Sequence, residues 1–201
     1  IMRDWSDCEA VGIRLRDGED FPYFETRNFA DEFVAAERSL CSRDSEGRPL
    51  RDENGHPYLD CMCGAVIDGH CDPSLAYVTE LGSFWVDNAD DLATAAAACR
   101  RRGRLRNRCL GEKYESVALI PLRCGDTVLG LMQFNDRRPG RFDARKIALY
   151  ERLASSLALG LAQRQAMDEL REAGLRQAEI LKAVRVGLWD WDLRTNRVTY
   201  S

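Results

Sequence analysis

The 201-residue sequence is short of several things, and each shortage narrows what the chain can be. No run is long and apolar enough to span a bilayer, and the opening IMRDWSDCEA has neither the basic start nor the apolar stretch of an export signal. Basic charge is not in excess. The 29 Lys and Arg stand against 33 Asp and Glu, a formal net charge of -4, so there is no general positive field to draw nucleic acid. No phosphate-cradling glycine loop of the P-loop kind occurs. Histidine is scarce: any imidazole ligand would have to come from His56 or His70. The expectation is a cytoplasmic segment with no nucleic-acid partner and no membrane insertion.

Cysteine, by contrast, is plentiful, with eight in the chain. In a small secreted protein that number would mean disulfides. This chain is long enough for a real core and carries no export signal, so a reducing setting is expected. There, clustered thiols suggest metal or redox chemistry, while scattered ones are usually small core residues. Hydrophobic residues at 45% and charged residues at 31% fit a folded chain of one ordinary domain with appendages, or two small domains.

The organising stretch is residues 114–136, YESVALIPLRCGDTVLGLMQFND. Two apolar runs, 116–122 and 128–134, flank a polar Gly-Asp turn, which signals a β-hairpin. Neither run alternates cleanly, so both read as strands covered on two faces. Upstream, residues 10–16 (AVGIRLR) alternate, with Val11, Ile13 and Leu15 on one side and Arg14 and Arg16 on the other. That predicts a half-buried strand, with residues 21–29 as its partner and a short helix over 33–40. Residues 42–58 (SRDSEGRPLRDENGHPY) read as a polar surface insertion or loop hairpin. Asp87-Asn88 stands ahead of an alanine-rich run as a helix N-cap. The basic cluster at 100–108 (RRRGRLRNR) reads as a solvated face, or alternatively as an anion-binding edge beside Cys109.

From Phe142 the pattern turns helical to about Val184. Ile147, Tyr150, Leu153, Leu157 and Leu161 recur at helical spacing and are expected to cover the sheet. Beyond them Met167, Leu170, Gly174, Gln177, Leu181 and Val184 form a heptad-like seam, which predicts a parallel homodimer through this helix. Gly187 ends the helix. An aromatic strand (LWDWD), a Thr195-Asn196 turn and a second strand from Arg197 then read as the first hairpin of a further domain. The start, entering a strand almost at once, reads as truncated.

The segments EAVGIRL (9–15), SVALIPLR (116–123), VLGLMQFND (128–136) and the helix from Phe142 to Arg164 together resemble a GAF domain. GLWDWDL with its following turn and VTYS is similar to the opening of a PAS domain. The resemblance implies an α+β fold: an antiparallel sheet of about six strands with flanking helices and a long C-terminal helix. It implies a sensory domain over residues 1–165, a signalling helix over 166–185 and a truncated PAS-like start over 186–201. The parent would be a bacterial histidine kinase or related signalling protein, with PAS and kinase domains downstream. The family's usual first helix is missing or cut short at Ile1.

Cys41, Cys61, Cys63 and Cys109 are the candidate site. Cys41 and Cys109 flank polar or basic segments, and Cys61-Met62-Cys63 is a C-x-C. GAF domains with similar CMCG and RNRC segments imply a shared cysteine framework. Four thiolates would suit zinc, or an iron–sulfur cluster that would make a redox or oxygen sensor. Cys71 and His70 are reserve ligands, haem stays open through His56, His70 or a cysteine, and reduced core thiols are the alternative to any metal. If Cys61 and Cys63 lay within one regular helix they would point to different sides, so a turn is expected there. The leading function is a non-catalytic sensory module binding a small ligand or a Cys-ligated metal. The alternative is a thiol enzyme resembling free methionine sulfoxide reductase, in which a cysteine of lowered pKa attacks the sulfoxide.

Overall fold

The computed structural model describes residues 7–98, 103–183, 189–192 and 194–200. Five strands form one antiparallel sheet: β1 (Ala10–Leu15), β2 (Tyr23–Arg27), β3 (Phe84–Val86), β4 (Ser116–Cys124) and β5 (Thr127–Asp136), in spatial order β2-β1-β5-β4-β3. The helices are α1 (Asp31–Ala36), α2 (Cys61–Ile67), α3 (Ala89–Ala98), α4 (Arg108–Gly111) and α5 (Ala144–Ala183). A separate two-stranded hairpin, β6 (Trp189–Asp192) with β7 (Arg197–Tyr200), follows. The chain divides into two compact units, Ile1–Gly160 and Leu161–Ser201.

The hairpin at the centre of the first unit forms as its sequence demands. β4 and β5 pair from Ser116 with Asp136 to Cys124 with Thr127, and Gly125 makes the turn at a φ of 58°. Burial runs unbroken through residues 116–122 and 128–136, because both faces of the sheet are covered. Cross-strand neighbours share a face. Gly12, Gln133 and Leu119 are in register, as are Ile13, Met132 and Ile120 on the opposite face. The second face receives α5: Phe134 stacks on Tyr150 with ring centroids 4.2 Å apart, and Phe142 meets Tyr150 edge-on. Each such fully buried ring or aliphatic chain contributes on the order of 1.5–3 kcal/mol.

Among the described residues the sheet has five strands, in keeping with the expectation of about six, and residues 41–59 add only isolated bridges. Two expectations change. On α5 the buried positions are Ile147, Tyr150, Ala154 and Ala158, while Leu153 and Leu157 are exposed. Small alanines let the helix lie close to the sheet, and this rotates the leucines outward. Arg14, expected on a solvent side, is fully buried: a strand between two covered faces has no solvent side. Of the predicted seam, Met167 and Leu170 are exposed, and the side chain of Leu181, Val184 and the break at Gly187 lie outside the described residues.

Residues 42–58 hold an eight-residue repeat, RDSEGRPL followed by RDENGHPY, that folds twice into the same turn. Asp44 accepts from the backbone N–H of Glu46 and Arg48, and Asp52 from those of Asn54 and His56. Arg43 and Arg51 donate across their own turns to the carbonyls of Gly47 and Gly55. The N-cap expected before the alanine-rich helix is present: Asn88 Oδ1 accepts from the Asp91 N–H at 2.7 Å.

Candidate functional site

One cavity lies between the sheet and the short helices that cover its first face. Its floor is Gln133 of β5 with Val117 and Leu119 of β4, and its walls are Tyr23, Glu37, α2 and α4. It encloses about 40 Å³. Cys61, Cys63 and Cys109 all line it.

The two cysteines of the C-x-C reach one cavity because they are not in equivalent helical positions. Cys61 opens α2 with a left-handed φ of 62°, so its side chain departs from the helical direction that Cys63 follows. The Cys61 Sγ accepts from the Arg106 N–H at 3.2 Å. Both cysteines lie within α2, so no separate turn divides them; the departure from regular helix is the single unusual φ at Cys61.

Residues 103–108 strap the cavity on its α2 side. Asp60, almost fully buried, fastens them: its carboxylate accepts from the Arg104 N–H at 2.7 Å and from the Arg106 guanidinium at 2.9 and 3.0 Å, and also from the Ser42 hydroxyl. The Cys61 N–H donates to the Arg104 carbonyl at 2.7 Å. Gly103 is required here, since a Cβ would sit 2.1 Å from the Leu59 carbonyl oxygen. In the described part of the basic cluster Arg104 and Arg108 are exposed, as a solvated face requires, whereas Arg106 is committed to Asp60. Residues 100–102 lie outside the described residues.

A polar network runs under the thiols. Tyr23 Oη donates to Gln133 Oε1 at 2.8 Å, and Gln133 Nε2 donates to Asn135 Oδ1 at 3.0 Å. Asn135 Nδ2 donates to Cys109 Sγ at 3.5 Å. Buried Arg14 spreads over the Tyr23 ring, 3.6 Å from its centroid, and donates to the carbonyls of Phe21 and Glu37. It thereby serves the carbonyl end of α1. Glu37 itself is buried; its Oε2 is 3.6 Å from Arg106, and its Oε1 has no hydrogen-bond partner among the described residues. Burial raises the Glu37 pKa, while Arg106 and Arg14 oppose the rise.

Burial also pushes the thiols of Cys61, Cys63 and Cys109 up to about 12 each. At neutral pH these are thiols, not thiolates, which runs against an activated nucleophile. The other candidates lie elsewhere. Cys41, pushed up to about 11 by burial and by Asp20, donates from Sγ to the Glu19 carbonyl at 3.5 Å. Cys71 is buried in the apolar core and does not line the cavity. His70 and His56 both line a different groove, beside Arg16 and Arg123. Three of the four proposed ligands therefore share a cavity and Cys41 does not. Among the described residues no group of three or more His, Cys, Asp or Glu side chains is placed to hold a metal ion. The donor set as arranged does not fit a closed tetrahedral site. Cys99 lies outside the described residues.

Sequence reasoning missed Arg14, Glu37, Asp60 and Gln133. Alternation marked Arg14 as polar but assigned it to water, and the other three looked like ordinary polar residues beside apolar ones.

No protein-family model matches the chain, and no curated protein matches it in sequence. Solved structures do match in fold. The GAF domain of a phosphoenolpyruvate-protein phosphotransferase from Coxiella burnetii aligns with a TM-score of 0.54 at 13% identity, over 84% of this chain and 80% of that one. A domain assigned to a two-component sensor histidine kinase of Sinorhizobium meliloti 1021 aligns with a TM-score of 0.52 at 16% identity, over 85% and 90%. The second GAF domain of DevS from Mycobacterium smegmatis gives 0.51 at 13%, over 84% and 91%. The fold is that of GAF domains: an α+β antiparallel sheet with flanking helices and a long C-terminal helix.

Proposed function

We propose that this chain is a sensory segment of a larger signal-transduction protein. The first unit binds a small ligand in the cavity of Cys61, Cys63 and Cys109, and α5 carries the bound state onward to output domains. The observation that carries this reading is a cavity lined by Tyr23, Gln133 and Glu37, with Gln133 held by Tyr23 and Asn135, the adjoining strap pinned by Arg106 on Asp60, and one Glu37 oxygen without a partner among the described residues. Pre-formed, mostly apolar cavities with a few convergent polar groups are the usual form of a small-molecule site. Helix α5 runs unbroken from Ala144 to Ala183, and a single helix transmits a shift when its packing has two discrete arrangements. Homodimerisation through α5 belongs to the same proposal, since Met167, Leu170 and Leu175 are exposed along it. No helix among the described residues is long and apolar enough to cross a membrane.

The cysteines are walls in this reading, and zinc or an iron–sulfur cluster would need Cys41 brought to the other three. The sulfoxide-reductase alternative needs a thiol of lowered pKa, whereas burial moves all three cavity thiols the other way. One preparation separates the three readings: anaerobically purified protein examined by metal analysis and visible spectrum, then assayed with methionine sulfoxide and thioredoxin. The ligand-binding reading expects less than stoichiometric metal, no brown chromophore and no turnover. One zinc per chain, or an iron–sulfur spectrum lost in Cys61→Ser, would restore the metal site. Turnover abolished by Cys109→Ser would make the chain an enzyme.

A further inference from the structure

Glu37 stands out among the groups lining the cavity. Its residue is 4% exposed, yet Oε1 has no hydrogen-bond partner among the described residues. A buried carboxylate oxygen left without a donor costs stability, so such an atom needs a reason to be retained. Most of the neighbouring donors are already engaged, Arg14 Nε being the exception among the described residues. Arg14 places Nη1 and Nη2 on the carbonyls of Phe21 and Glu37, and Arg106 places Nε and Nη2 on Asp60. Apart from Asn107 and Arg108, the remaining lining is mostly apolar, formed by residues such as Phe33, Leu92, Leu110 and Leu119.

We infer that the cavity takes a small ligand whose single N–H or O–H group is received by Glu37 Oε1, with its remaining atoms against the apolar wall. This deepens the ligand-binding reading above and rests on it. It assigns the polar recognition to Glu37 and not to the thiols. With about 40 Å³ available, the ligand is of few heavy atoms, on the scale of a five-membered ring entering with local give in the strap.

A matched pair of probes tests it: pyrrole, which carries a ring N–H, and furan, the same ring with an oxygen and no donor. Each is titrated into the full chain, and binding is read from the methyl NMR signals of Leu92, Leu110 and Leu119. Pyrrole is expected to bind at least about tenfold tighter than furan, the effect of one hydrogen bond to a charged acceptor. In Glu37→Leu that preference should vanish, while the melting temperature changes little, because the lost ion pair with Arg106 is offset by removal of a buried carboxylate oxygen that has no hydrogen bond. Glu37→Gln, which keeps an acceptor oxygen, guards against a folding failure and should retain part of the preference. Equal binding of both probes, unchanged in Glu37→Leu, would overturn the role of Glu37 and leave the cavity a binding site. Shifts with neither probe would overturn this inference and the ligand-binding reading together.

Discussion

At the scale of single residues, the site depends on Asp60. Its carboxylate holds the strap through the Arg106 side chain and the Arg104 N–H, and it also accepts from the Ser42 hydroxyl. Asp60→Ala leaves Arg106 without its bidentate partner and frees residues 103–106. The expected loss is about 2–3 kcal/mol, discounted because Arg106 keeps some contact with water. Urea unfolding measures it, and a loss under about 0.5 kcal/mol, the size of an ordinary surface change, would mean that the strap is held by something else.

The thiols give a second test with a defined sign. Cys61, Cys63 and Cys109 are raised by burial from 9.0 to about 12 in the folded chain, and an unfolded chain ionises them near the ordinary value. Between those values the folded state holds protons that the unfolded state has released. Their contribution to stability is therefore complete below the window and is lost as pH rises through it. The urea midpoint is expected to fall between about pH 8 and about pH 10.5, and to fall less in Cys63→Ala. A fall of the same size in that variant would show that Cys63 titrates alike in both states.

What could be read from the sequence at this scale was uneven. Cys61, Cys63 and Cys109, three of the four cysteines expected as metal ligands, line one cavity. Cys41 groups with them in sequence because it flanks a polar segment, but its thiol donates to the Glu19 carbonyl and its backbone N–H to Asp20. Arg14 shows the limit of alternation. Period two says that a residue faces away from its neighbours, but not whether water or a second layer waits there.

At the scale of elements, the hairpin β4–β5 was the most legible feature, since two apolar runs and a Gly-Asp turn leave few other pairings. Helix α5 was legible in extent but not in rotation. Hydrophobicity alone favours the leucines as the buried stripe, whereas close approach to the sheet favours Ala154 and Ala158. Ala158→Leu should therefore cost about 1–3 kcal/mol by overpacking, while Leu153→Ala should cost well under 1 kcal/mol. Thermal unfolding of the two variants decides between the faces, and the reverse order of losses would restore the leucine face. In sequence, residues 42–58 read only as a polar insertion or loop hairpin; the repeat RD--G-P and each Asp bonding its own turn explain why the segment holds its shape with so few apolar residues.

The exposed apolar residues of α5 bear on assembly. Leu170 is 74% exposed, and pairing with a second copy of the helix is the proposed use. Light scattering is expected to give twice the chain mass, reduced to a single chain mass in Leu170→Lys. A single mass for the parent would remove dimerisation from the proposal and leave the cavity untouched.

At the scale of the whole molecule, the central claim is that the space under α2 and α4 is a real binding cavity and not a seam in the core. Xenon tests this directly, since it enters dry apolar cavities and needs no hydrogen bond. Under xenon pressure, the methyl signals of Leu92, Leu110 and Leu119 should shift, and those of Ile120 and Ile147 on the other face should stay in place. Shifts confined to the second face, or none at all, would contradict the account.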